Sequence, residues 1–296
     1  MDAGEVSVSA PRRVTLFAFW GRKPNVELQL PFIRRILDDH PQVDFHGWNL
    51  CRDPADDEYV RSVASERIYI RNDFAGPRSY AKMFRVWQFY ARPRDADQLF
   101  VKIDDDMVFI RTDRFGAFLD VVEEISQTEG GGIVSADVIN NGACTPLHPQ
   151  LWEQFEGLKI PLLDVHMSNA FAELAHQYMF DHWEDLVAQP LQVIPSDEWL
   201  SICMIGMDWR TLCRLSQKVG KRSPPMIANR EWNPRTLIGD EGAANLLPRY
   251  LLKGMTAGHL GFGPQKLIPE QEDRFRQGYA VIADQYLAGK SRELSH

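Results

Sequence analysis

Apolar residues fall into two kinds of run along this chain. Short, nearly continuous apolar blocks, such as VTLFAFW (14–20), LFVKI (99–103) and IVSADVI (133–139), read as buried strands. Between them lie longer stretches with apolar residues at helical spacing, such as NVELQLPFIRRILDDHP (25–41), PADDEYVRSVA (54–64) and PRSYAKMFRVWQFYARP (77–93), each bounded by proline. VDFHGWNLCRD (43–53) and ERIYIRND (66–73) add a second and a third strand before LFVKI.

The alternation predicts an α/β fold with a mixed, mainly parallel sheet flanked by helices. After LFVKI, FGAFLDVVEEIS (115–126) reads as a helix, and HMSNAFAELAHQYMFDHWEDLV (166–187) as a long one with Ser168 or Asn169 as cap. DEWLSICMIGMDWRTLCRLSQKVG (197–220) reads as largely helical. MTAGHLGFG (255–263) reads as a short extended segment. The tail carries Phe275, Tyr279, Ile282 and Tyr286 at helical spacing and predicts a closing amphipathic helix.

Composition narrows the partners. The 296 residues carry a net charge of −8, and no basic stripe runs along any element, which argues against a nucleic-acid partner. The four cysteines, Cys51, Cys144, Cys203 and Cys213, are far apart, which points to reduced thiols in a cytoplasmic protein. Residues 1–12 read as a loose arm without the apolar core of a signal peptide. No apolar run approaches a membrane span, so a soluble protein is expected.

The unusual feature is IDDDMVFI. Asp104, Asp105 and Asp106 follow directly on a buried strand, with an apolar run on the other side. Adjacent carboxylates repel unless a cation compensates. In extended chain Asp104 and Asp106 share a face, with Asp105 opposite. Two convergent carboxylates at a strand's carboxyl end suit a hard divalent cation, Mn²⁺ or Mg²⁺. A helix cap or a solvated turn is the alternative.

VKIDDDMVFI resembles the D-x-D motif of glycosyltransferases of the GT-A fold. The resemblance covers roughly residues 13–262, in the order of elements. It implies a nucleotide-sugar-binding half (13–125), an acceptor-binding half (126–262) and a helical tail (263–296). It also implies that Asp106 binds the metal, that Asp104 contacts the ribose or the metal through water, and that Asp105 holds the local backbone or lines the sugar pocket. The family's acid motif is matched to IPSDEWLSICM, with Asp197 as base and Glu198 beside it, although SDE is also an ordinary helix start. A second acidic pair, Asp240–Glu241 in LIGDEGAANLLP, competes for that place or belongs to an acceptor loop. The family's metal histidine is matched to His259.

For the donor, Phe19 or Trp20 at the end of the first strand packs on the base, or both belong to the core. Arg22 or Lys23 meets phosphate charge. Asp73 ends the third strand, where family members contact the base. Arg78 and Lys82 share a helix face and turn to the diphosphate or to solvent. The implied activity is transfer of a sugar, with inversion favoured, from a UDP-, GDP- or dTDP-sugar to a glycan, protein or small-molecule acceptor. DVINNGACTP (137–146) and the helix from Ser168 help to form the acceptor side. A nucleotidyltransferase on a related sheet and a non-catalytic metal- or carbohydrate-binding module are the alternatives.

Overall fold

A continuous apolar run needs cover on both faces, and the first strand has it: all seven residues of β1 (Val14–Trp20) are buried. The computed structural model describes residues 12–76 and 84–293. β1 pairs in parallel with β2 (Val43–Asn49) on one side and with β4 (Leu99–Asp104) on the other, and β2 pairs in parallel with β3 (Ile68–Arg71). The intervening helices are α1 (Lys23–Asp39), α2 (Pro54–Ser62) and α3 (Phe84–Tyr90). Pro24 sits in the first turn of α1, where no N–H is needed, and Asp53 caps α2 by accepting from Ala55 N at 2.8 Å.

The sheet continues beyond β4 and has nine strands in all among the described residues. β8 (Met204–Asp208) lies antiparallel between β4 and β6 (Ile133–Ile139). β11 (Arg249–His259) then runs parallel to β6, with β5 (Met107–Ile110) and β7 (Gln192–Pro195) antiparallel to it. The fold is therefore α/β with a mixed, mostly parallel sheet, as the pattern predicts. One sheet and one apolar core run through both expected halves of the chain.

The tail is the expected closing helix. In α9 (Pro269–Glu293), Phe275, Tyr279, Ile282 and Tyr286 are buried. The long helix α6 (Asn169–Ala188) starts where predicted, with Ser168 Oγ accepting from Phe171 N at 3.1 Å. α4 (Phe115–Gln127) and α5 (Pro149–Gly157) precede α6, and α7 (Trp209–Lys218) and the short α8 (Asp240–Ala244) lie between α6 and the tail helix.

Residues 197–220 differ from the helical expectation. They begin as an irregular loop, become strand β8, and turn helical only at Trp209. A short, wholly apolar run fits a buried strand and a buried helix equally well by pattern. Gly206 favours the strand: a Cβ there would lie 2.5 Å from Val122 Cγ2, so its absence lets α4 rest on the sheet. β11 is also longer than the expected short segment, beginning at Arg249.

No helix of the described residues is long and apolar enough to cross a membrane. The four cysteines are free thiols, two buried and two partly exposed. Residues 1–11 of the expected arm (1–12), and Arg78 and Lys82, lie outside the described residues.

Candidate functional site

In the order β3-β2-β1-β4, the chain reverses its direction of winding between β1 and β4. Crevices in open parallel sheets form at such a switch point, outside the carboxyl ends of the strands. Gly21 and Arg22 follow β1 there, and Asp104, Asp105 and Asp106 follow β4. A cleft of about 660 Å³ opens at this edge, lined by Phe19, Arg22, the three aspartates and His259, among others.

His259 arrives from the far side of the sheet. β5 leaves the aspartate turn and pairs antiparallel with β11, which sets His259 opposite Met107, and Leu260 N donates to Asp106 O at 2.9 Å. His259 Nε2 lies 3.1 Å from Asp106 Oδ1. Two contacts fix the end of β11. The Tyr279 ring lies against Gly258, where a Cβ would come within 2.5 Å, and His176 bridges Leu260 O (2.7 Å) and the Tyr279 hydroxyl (3.0 Å).

The three carboxylates have separate partners. Asp104 Oδ1 is 2.5 Å from Nζ of Lys102, which is fully buried and also donates to Ile202 O. Asp105 accepts a fork from Arg22, at 3.0 Å from Nε and 2.7 Å from Nη2. Asp106 accepts from Arg22 Nη2 at 2.8 Å through its other oxygen. Strict alternation, with Asp105 facing away, is not what forms. The strand ends at Asp104 and turns, and all three side chains line one cleft.

Gln29 organises that turn from α1. Its Nε2 donates to Asp104 O (2.7 Å) and Met107 O (3.2 Å), while its Oε1 accepts from Trp20 Nε1 (2.8 Å). The two aromatic residues at the end of β1 differ in place, although both belong to the core. Trp20 is fully buried and committed to Gln29 and to Phe45, whereas Phe19 lines the cleft.

The electrostatics follow from these contacts. Burial pushes Asp104 up to about 6 against the pull of Lys102, with Asp106 adding repulsion. Burial also works against charge on Asp106, but His259 and Arg22 outweigh it and hold that carboxyl below the usual range. Burial opposes charge on His259 as well, and the Cys203 sulfur and Asp106 carboxylate more than offset it. Asp104, Cys203 and His259 each bring one ligand atom within 4.8 Å of the others, and His259 Nδ1 is buried without a hydrogen-bond partner.

The acidic candidates separate. Asp197 and Glu198 sit exposed on the loop between β7 and β8, not at a helix start. The other pair is the one at a helix start. Asp240 is buried and accepts from Trp87 Nε1 at 3.1 Å, and Glu241 accepts from Trp199 Nε1 at 2.5 Å. Burial pushes Glu241 up to about 7 against the Trp199 hydrogen bond, with Asp240 and Asp104 adding repulsion and Lys102 opposing it. Asp73 lies exposed, 3.1 Å from Arg71, and is not among the residues lining the cleft.

A smaller hollow of about 180 Å³ lies beyond the cleft, bordered by Glu198, Trp199, His166 and the hairpin residue Arg230. His166 packs against Phe262 with ring centres 4.7 Å apart, and Phe262 lines the aspartate cleft. Gly142 and Ala143 of the expected acceptor segment form part of its wall.

Lys102, Gln29 and Cys203 were not singled out by sequence. A lysine inside an apolar strand was the available signal for the first. The other two are a glutamine within a helix and a cysteine in an apolar run, and neither pattern marks a site. Comparison with protein-family models gives no match, and comparison with curated proteins gives none.

Proposed function

We propose that this protein is a metal-dependent glycosyltransferase, which moves a sugar from a nucleotide-diphosphate donor to an acceptor hydroxyl. The observation that carries this reading is the pairing of His259 with Asp106 in the crevice between β1 and β4. It joins two distant sequence features in the place where parallel sheets bind ligands.

The donor groups suit a divalent cation. Asp104, Asp106 and His259 would hold it, two carboxylates and an imidazole: Asp104 and His259 have ligand atoms within 4.8 Å of each other, and Asp106 lies 3.1 Å from His259 Nε2. When bound, such a cation stabilises the negative charge that develops on a departing diphosphate. The chain supplies the rest. Arg22 sits at the cleft with part of its side chain exposed, so it can exchange Asp106 for a diphosphate oxygen. Lys102 keeps Asp104 oriented from behind. Phe19 offers an apolar wall to the base.

Glu241 is the group we assign to remove the acceptor proton. It is half-buried at a helix start, oriented by the Trp199 indole, and its carboxyl is pushed up to about 7, where a general base is most effective. Asp197, exposed on its loop, lacks that setting. A carboxylate that takes the acceptor proton as the hydroxyl attacks fits transfer with inversion. UDP-sugars are the first donors to test, with GDP- and dTDP-sugars after them. Incubation with Mn²⁺ and each donor should release nucleoside diphosphate slowly even without acceptor. Pyrophosphate release would point to nucleotidyl transfer, and no release from any donor would refute the proposal.

A further inference from the structure

The geometry points to a saccharide as the acceptor, held in the hollow beside Trp199 and reaching at least two sugar rings outward. This inference rests on the glycosyl-transfer reading and gives it a substrate class.

The hollow measures about 180 Å³. At ~30 Å³ per water it has room for roughly six waters, which is the scale of one pyranose ring. Its walls are mixed: the Trp199 indole and leucine side chains on one hand, and Glu198, Asn229 and Arg230 on the other. A pyranose has the same division, with apolar C–H faces and a rim of hydroxyls. Asn229 and Arg230 also border a second, open hollow of about 520 Å³, which carries Trp232. Trp199 and Trp232 stack with ring centres 5.0 Å apart and planes at 20°. One aromatic wall therefore runs from the smaller hollow to the larger one, as suits consecutive rings of a chain.

The site is built rather than incidental. Arg230 follows Ala228 and Asn229, which both have positive φ (46° and 58°) in the turn between β9 (Met226–Ile227) and β10 (Arg230–Glu231). Alanine in that region is strained, so the surroundings hold the turn in place. Arg230 has no ion-pair partner among the described residues, so its guanidinium is free for ligand oxygens. His166 is a fixed wall, with Nδ1 2.7 Å from Leu163 O and Nε2 bonded to the Ser201 hydroxyl. Asn245 clamps the loop carrying Trp199 with two 2.8 Å bonds to the backbone of Leu200. Trp199 is also the residue that orients Glu241, so the smaller hollow and the assigned base share one indole.

Saturation-transfer NMR on the full chain, with methyl glycosides of common hexoses and N-acetylhexosamines and with their disaccharides, tests this. We expect transfer to ring C–H protons in at least one series, with a disaccharide binding about tenfold tighter than its monosaccharide. Trp232→Ala should remove the disaccharide advantage, and Arg230→Ala should weaken both. Arg230 lies on the partly exposed hairpin, outside the indole stack, and keeps the test open if Trp232→Ala does not fold. No transfer to any glycoside, or transfer unchanged in both variants, would overturn the inference. Donor hydrolysis measured alongside separates the two readings. Hydrolysis without saccharide binding refutes this inference alone. Saccharide binding without hydrolysis of any donor refutes glycosyl transfer and keeps the site.

Discussion

Arg22 Nη2 lies 2.8 Å from Asp106 Oδ2, on the carboxylate whose other oxygen faces His259 Nε2 at 3.1 Å. Three consecutive aspartates at a strand end are thus compensated by the protein's own cations: Arg22 on Asp105 and Asp106, and Lys102 on Asp104. Any added cation must share Asp106 with Arg22 or displace it.

Arg22→Ala therefore has opposite effects with and without metal. Without metal, the buried carboxylates lose a forked, charge-assisted partner, and stability falls by about 1–2 kcal/mol. With Mn²⁺, the freed carboxylates gain a stronger cation. Thermal melts should show a lower Tm for the variant alone and a larger Mn²⁺-induced rise than in the unaltered protein. Equal rises would mean that Arg22 and metal do not compete.

Glu241 gives a pH signature. Its carboxyl is raised from 4.5 to about 7 in the folded chain. Between those values the folded state holds a proton that the unfolded state has lost, so this group's contribution makes stability fall as pH rises through that window. Glu241→Gln removes the effect. The variant should gain on the order of 2–3 kcal/mol relative to the unaltered protein at pH 8 and little at pH 4, as read from denaturant titrations at both pH values. Turnover in the unaltered protein should rise through about pH 7 and lose that limb in the variant.

Gln29 carries more than its place on a helix implies. Gln29→Leu leaves Trp20 Nε1, Asp104 O and Met107 O without their partner. Each unsatisfied buried group costs about 1–3 kcal/mol. Urea unfolding should show a loss of roughly 3 kcal/mol or more, with reduced Mn²⁺ affinity because the aspartate turn loosens. A loss within a few tenths of a kcal/mol would show that water replaces the side chain.

Much of this was legible in the chain because burial on two faces writes itself as continuous apolar runs. β1, β2 and β4, the capped helix after Ser168 and the tail helix all follow from that pattern. The carboxyl-edge location of Asp104–Asp106 followed too, since a strand's end is visible where its apolar run stops. Residues 197–220 were not legible, because a short apolar run looks alike in a strand and in a helix, and Gly206 acts through contacts with α4. The difference between Phe19 and Trp20 needed the Gln29 hydrogen bond, which spans a strand and a helix. Of the two acidic pairs, the sequence favours Asp197–Glu198 as the acid motif over Asp240–Glu241. Burial separates them, leaving the first on an exposed loop and the second beside Trp87 and Trp199.

The central claim is that Asp104, Asp106 and His259 form one cation site that serves a nucleotide diphosphate. Calorimetric titration of UDP, GDP and dTDP, with and without Mn²⁺, into the unaltered protein and Asp106→Asn tests it most directly. The account predicts that one nucleotide binds at least about tenfold tighter with Mn²⁺ and that Asp106→Asn abolishes this gain. Binding of every nucleotide at the same affinity with and without Mn²⁺, or a gain that survives in Asp106→Asn, would contradict it.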